Sequence, residues 1–367
     1  MSYFPPDLPE FNHLRHLQII TWDAANPIPE QDLMCHVAHV GAKGQPDGWF
    51  FDSFLAIPPR AKSGNYLYAD INRGTTRNGA GDFFAIPAPN PATAADWASC
   101  IDSYFGSGGL LERLDRTAAA AWRALGAPPR PRNVVLSIPY PHPNQLYFGR
   151  VKPKGAPLNF GITGQNLTAA SDQRLEACRW FVDECLARWR KSSFRNLKFL
   201  GFYWIYESIH YSWDVDDHWV IKELYRHIRA RRQKLFWIPF FSTFNAHLLS
   251  DYRGFYFDCA FLQPNHMFYY DIGGVKEAAR MAEARGAGVE MEYYLDLPPA
   301  FSVGDEKHDR FRNYLNGGVE HGYMTQSACA YFLGSNDLQK MARGRDRRER
   351  AFYDDLWHFV RGDYEVK

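Results

Sequence analysis

Eight short runs rich in large apolar and β-branched residues recur along this chain, and stretches of helical periodicity separate many of them. The runs are His16–Trp22, Trp49–Ile57, Asn133–Tyr140, Leu197–Glu207, Lys234–Phe241, Phe257–Gln263, Gly288–Tyr294 and Gly322–Phe332. Most are dominated by apolar side chains, the pattern of parallel strands covered on both faces. Helical patterns at Ser171–Arg190, Asp216–Arg232 and Val275–Arg285 precede strands four, five and seven, with an N-terminal cap expected at Ser171. Eight such units predict an α/β fold, a closed (β/α)8 barrel occupying residues 1–367 as one domain. An open doubly wound sheet is the alternative, but no dinucleotide-type glycine fingerprint follows any strand.

Two connections exceed what a minimal barrel needs. Pro58–Asp96 follows strand two and Pro141–Ala170 follows strand three. Both fall on the face where barrel enzymes carry their sites.

Composition narrows the partners. Lys plus Arg number 42 against 41 acidic residues, which leaves no electrostatic basis for binding nucleic acid or an anionic membrane. The mixed cluster Arg343–Arg348 reads as a solvated helix face. No apolar stretch is long enough to span a bilayer, and the first residues lack the charged start and apolar run of a secretory signal. The six cysteines are scattered without metal-ligand spacing and read as buried free thiols, so a cytoplasmic location is the default expectation. Nothing in the sequence bears on the oligomeric state. Aromatic residues reach 16%, enough to line a pocket for a ligand with apolar faces and hydroxyls, as a carbohydrate has.

Side-chain alternation selects the candidate chemistry. In Gly288-Val289-Glu290-Met291-Glu292 the two glutamates share one face, and with helices outside they should point into the barrel. Buried carboxylates are costly unless paired or hydrogen-bonded, so a role in function competes with a buried polar network. Glu207 closes strand four at the rim, where a glutamate merely capping the next segment is the plainer alternative. A carboxyl on strand four facing one on strand seven suits glycosidic cleavage. One group protonates the leaving oxygen while the other attacks the anomeric carbon. Glu292 is preferred as nucleophile over the deeper Glu290, and only depth separates the two.

Candidate substrate contacts are Asp52, Tyr140, His142, Gln145, Gln263, Asn265 and His266, with a purely structural pairing an equal alternative for Asp52 and loop packing the plainer reading of His142. Trp204, Tyr206, Trp237 and Tyr331 are candidate ring surfaces, although Trp204, Trp237 and Tyr331 also read individually as core. No phosphate loop, nucleophile elbow or strand-end lysine is present, and neither a metal nor another cofactor is expected. A carbohydrate-binding barrel without catalysis, and a lyase or isomerase acting on sugars, remain the competing readings.

These motifs together resemble a bacterial family known only as domain of unknown function 4855. The resemblance runs from strand two to the end of the chain. It is carried by Gly48-Trp49-Phe50-Phe51-Asp52-Ser53-Phe54, Ile138-Pro139-Tyr140-Pro141-His142-Pro143-Asn144-Gln145 and Gly201-Phe202-Tyr203-Trp204-Ile205-Tyr206-Glu207. Trp237-Ile238-Pro239, Gln263-Pro264-Asn265, Gly288–Glu292 and Tyr323-Met324-Thr325 complete it. The resemblance implies a barrel similar to glycoside hydrolases with catalytic glutamates on strands four and seven, and no particular substrate. The chain departs from the family pattern at His142, where an acid is expected, at His266, where a ring is more usual, and around Trp22–Asn26.

Overall fold

The computed structural model describes residues 2–68, 75–77, 83–85, 90–126, 130–243, 246–268, 274–295 and 306–367. Eight parallel strands close into a barrel: β1 (His16–Thr21), β2 (Ser53–Ile57), β3 (Arg132–Ile138), β4 (Leu197–Trp204), β5 (Lys234–Trp237), β6 (Cys259–Leu262), β7 (Gly288–Glu292) and β8 (Cys329–Phe332). The ring closes where β1 pairs with both β2 and β8, Leu17 facing Ser53 and Ala330.

Helices among the described residues are α1 (Glu30–Val37), α2 (Ala94–Phe105), α3 (Leu110–Leu125), α4 (Leu167–Lys191), α5 (Asp217–Ala230), α6 (Val275–Arg285), α7 (Lys307–Glu320), α8 (Tyr323–Gln326), α9 (Asp337–Arg343) and α10 (Arg347–Arg361). In α3 the residues Leu110, Leu111, Leu114, Thr117, Ala118 and Ala121 are buried, one stripe at helical spacing against the barrel. The expected Pro58–Asp96 excursion lies in part outside the described residues.

Three local expectations are corrected. Helix α4 begins four residues before Ser171, because the Asn166 side chain accepts from the Ala169 N–H, 2.8 Å, and caps it. Ser171 is buried inside the helix instead. The eighth run is also split: Tyr323–Gln326 forms the single turn α8, and only Cys329–Phe332 pairs as strand. The Arg343–Arg348 cluster is exposed but spans the turn between α9 and α10, not one helix face.

Strand packing is close enough to dictate one glycine. A Cβ on Gly201 would lie 2.1 Å from the Lys234 carbonyl oxygen across the β4–β5 pair, so no side chain fits.

The amino-terminal segment closes one end of the barrel. The Phe4 N–H donates to the Ala287 carbonyl and its own carbonyl accepts from Ala328, so the chain bridges the entries to β7 and β8. The Phe4 ring packs edge-on to Phe11 at 4.9 Å, and Phe11 in turn meets Phe236 of β5. This apolar plug leaves the opposite, carboxyl-terminal mouth as the end open to chemistry. Between β5 and β6 the described residues form only a short 3-10 turn, Ala246–Ser250. No described helix is long and apolar enough to cross a membrane.

Candidate active site

Glu290 and Glu292 alternate with Val289 and Met291 along β7, and all four are buried. The glutamates therefore occupy the barrel interior, as the period of two requires once helices cover the outside. Glu207 lies three residues past the end of β4 and is half-buried. Its charge nevertheless reaches both β7 glutamates, as well as Tyr203 and Tyr294. Three carboxyls thus gather at the carboxyl-terminal mouth, where mutual repulsion makes simultaneous ionisation costly.

The two β7 carboxyls have different surroundings. Glu292 accepts a 2.6 Å hydrogen bond from the Tyr314 hydroxyl of α7 and a 2.9 Å bond from the Asn265 backbone N–H. Asn265 sits in the left-handed region at φ 59°, the turn that aims its N–H at the carboxylate. No group among the described residues donates to Glu290. Burial first, then the charges of Glu292 and Glu207, holds Glu290 well above the usual carboxyl range. Burial and Glu207 push Glu292 up from 4.5 to about 8, against the opposing pull of its two donors. The donors stabilise the charged form of Glu292 specifically, so Glu292 ionises more readily than Glu290.

Behind Glu207 lies a buried ion pair absent from the sequence reading. The Arg174 guanidinium of α4 donates to Asp217 at 2.6 Å and to the Pro141 carbonyl at 2.7 Å. Asp217, the first residue of α5, also accepts from the Tyr140 hydroxyl and the His210 backbone N–H, each at 3.1 Å. These bonds tie the connection after β3 to the loop that carries Glu207. Tyr140 is occupied here; its ring packs 4.8 Å from Tyr206. His142 stands edge-on to Tyr140, and burial with the nearby Arg174 lowers it to about 4, so it is neutral at physiological pH.

Other expected contact residues have structural employment. The Gln145 amide donates to the carbonyls of Ala92 and Tyr147, and that of Gln263 to Ile238. Trp204 and Trp237 are both fully buried, the latter donating to the Tyr206 carbonyl and stacking on Phe257. Tyr331 is likewise fully buried and bonds His16 at 2.7 Å. These three rings face the core and present no surface to a ligand. His266 borders Tyr314 and meets Asn313, and burial beside Arg310 lowers it to about 4.

Asp52 is displaced furthest from expectation. It precedes β2 rather than lying within it, and accepts from Ser53 and the backbone N–H groups of Arg15 and His16. Those partners mark the amino-terminal end of the barrel, opposite the glutamates. These partners fit the structural alternative for Asp52, and only its place within the strand is corrected, because an apolar run does not reveal where pairing starts. Tyr314, Tyr203 and Tyr294 were missed for a related reason. As aromatics in apolar patterns they read as core, and only the closed barrel brings them to the glutamates.

Among the described residues no group of three His, Cys, Asp or Glu side chains is arranged to hold a metal ion. The six cysteines are buried and free.

A family model described as domain of unknown function (DUF4855) matches residues 18–358. The chain belongs to this family. No curated protein matches it. Solved structures similar in outline include a glycoside hydrolase family 5 enzyme from Prevotella bryantii, at 10% identity and TM-score 0.46, covering 98% of this chain and 100% of that one. A family 18 chitinase from Pseudoalteromonas aurantia aligns at 8% identity and TM-score 0.40, covering 93% and 99%. A xylose isomerase domain protein from Planctomyces limnophilus aligns at 11% and 0.41, covering 98% and 99%.

Proposed function

We propose that this protein is a glycoside hydrolase of the retaining type, with Glu207 as general acid/base and Glu292 as nucleophile. The observation that carries the reading is the unequal treatment of two adjacent buried glutamates. Glu292 is held by two donors that favour its anion, whereas Glu290 has like charges and, among the described residues, no donor. A nucleophile must be ionised when the bond breaks, so the donors single out Glu292. Glu290, one layer deeper, keeps its proton to higher pH than Glu292, so Glu292 is the first of the two to become a carboxylate as the pH rises toward about 8.

In the first step the Glu292 carboxylate attacks the anomeric carbon while Glu207 passes its proton to the departing glycosidic oxygen. A glycosyl ester on Glu292 results. Water then attacks the same carbon as Glu207 takes back a proton, releasing the sugar and free Glu292. Glu207, half-buried at the rim, has access to both leaving group and water. Tyr211 and Trp213 follow in the same loop, with 61% and 76% of their surfaces exposed. Exposed rings there suit the apolar faces of a sugar.

A panel of aryl glycosides tests the proposal. Hydrolysis should be lost in Glu207→Gln and Glu292→Gln, and the first-formed product, followed by NMR, should keep the anomeric configuration of the substrate. Inverted product would move Glu292 from nucleophile to base. Turnover unchanged in both variants would remove the glutamates from the reaction altogether.

A further inference from the structure

At the closed end of the barrel a cavity of about 290 Å3 lies between the entries to β1, β2 and β3 and the end of α10. Its character is opposite to that of the glutamate mouth. Four arginines line it, Arg15, Arg130, Arg132 and Arg361, against two aspartates, Asp7 and Asp52.

Arg132 is the core of the site. It is 5% exposed, and its Nε and Nη2 find no hydrogen-bond partner among the described residues. Its guanidinium lies 4.3 Å above the Trp49 ring, which also lines the cavity. Stacking occupies the face of a guanidinium and leaves its N–H groups, which lie in the plane, to bond elsewhere. A buried cation with unmade hydrogen bonds is costly, and that cost is removed by an anion that takes the fork.

The aspartates do not fill that role. Asp7 is engaged by Arg130 and His13 at the rim, at 3.2 and 3.0 Å. Asp52 spends its oxygens on Ser53 and two backbone N–H groups, and burial raises its pKa, reducing the negative charge it offers Arg132. Arg132 is also the first residue of β3, its N–H bonded to the Asn196 carbonyl, so the guanidinium is anchored on a rigid strand.

We propose that this cavity is a binding site for an oxyanion, the phosphate or carboxylate group of a small molecule, gripped by the in-plane N–H groups of Arg132 and drawn in by Arg15, Arg130 and Arg361. The site does not depend on the glycosidase reading. It also accounts for the Trp49–Asp52 motif, which the glutamate chemistry leaves unused: Trp49 supports the guanidinium and Asp52 closes the floor.

Calorimetric titration of the intact protein with inorganic phosphate, and separately with acetate, tests this against chloride at equal ionic strength. Binding of either over chloride is expected, and which one binds identifies the group recognised. Arg132→Met should weaken it about tenfold or more, and Arg132→Lys, which keeps the charge but loses the fork, should also weaken it. Arg15→Ala, at an exposed position, should weaken it less while leaving the fold intact. No binding of phosphate or acetate over chloride would overturn the proposal. So would equal affinity in wild type and both Arg132 variants.

Discussion

The two ends of this barrel each bury a carboxylate, and they satisfy it in different ways. Asp52 at the amino-terminal end is surrounded by donors: a hydroxyl, two backbone N–H groups and, nearby, the Arg132 charge. Glu290 and Glu292 at the other end lie beside one another and Glu207, and like charges oppose their ionisation even though Glu292 accepts two hydrogen bonds. Desolvation opposes ionisation at both ends. Donors make Asp52 a fixture of the fold, while repulsion leaves the glutamates poised to gain or lose a proton. Burial of an acid is therefore weak evidence of function, and the sign of its neighbours is better evidence.

The largest expected effect breaks the proposed catalytic end alone. Glu292→Gln should lower turnover of an activated aryl glycoside by about a thousandfold or more, because the attacking group is gone. Asp52→Asn should leave that rate within about twofold while lowering stability by about 1–3 kcal/mol, since one oxygen acceptor becomes a donor facing donors. Measuring both rates and both unfolding midpoints tests the contrast. A large rate loss in Asp52→Asn would erase it.

Next comes the buried pair that steadies the Glu207 loop. Arg174→Met leaves Asp217 charged and buried, and should cost about 3–5 kcal/mol in denaturant unfolding. The double variant Arg174→Met with Asp217→Asn should recover part of that loss. A double variant no more stable than the single one would argue against a coupled pair.

The pH dependence sharpens the comparison further. The native state holds the Glu292 proton up to about pH 8, whereas an unfolded chain releases it near 4.5. Between those values the native state binds more protons, so stability falls as pH rises and levels off above about 8. Glu292→Gln has no proton to release. Its unfolding free energy should therefore fall less steeply than that of wild type over that window, a difference reaching about a few kcal/mol at the alkaline end. Parallel curves for wild type and variant would mean that Glu292 is ionised throughout.

The smallest change is Tyr314→Phe. Losing one donor to the Glu292 anion should raise its pKa by about one unit. The rising limb of the kcat/KM profile should then move to higher pH. An unmoved limb would show that this hydrogen bond does not set the ionisation.

Much of the fold was legible because its cause is local. Unbroken apolar runs mark strands buried on both faces, and the helix at Val275–Arg285 is found where its periodicity places it. Ends were less legible. Within Gly322–Phe332 the polar Thr325 and Gln326 interrupt the apolar pattern, but it is pairing with β1 and β7 that separates the strand at Cys329 from the turn of helix at Tyr323. The same blindness put Asp52 inside a strand that starts one residue later.

By itself the sequence determined the order of strands, the shared inward face of Glu290 and Glu292, and the nearness of Glu207 to the carboxyl end of the fourth strand, although it ran that strand three residues too far. Each depends on residues within a few positions of one another, where backbone period dictates direction. The tertiary structure decided the rest. It sent Asp52 and Arg132 to one end and the glutamates to the other, brought Tyr314 to Glu292 across 22 residues, and joined Arg174 to Asp217 across 43. Those choices rest on barrel closure and hydrogen-bond register, which belong to the whole ring of strands and to no single segment of the chain.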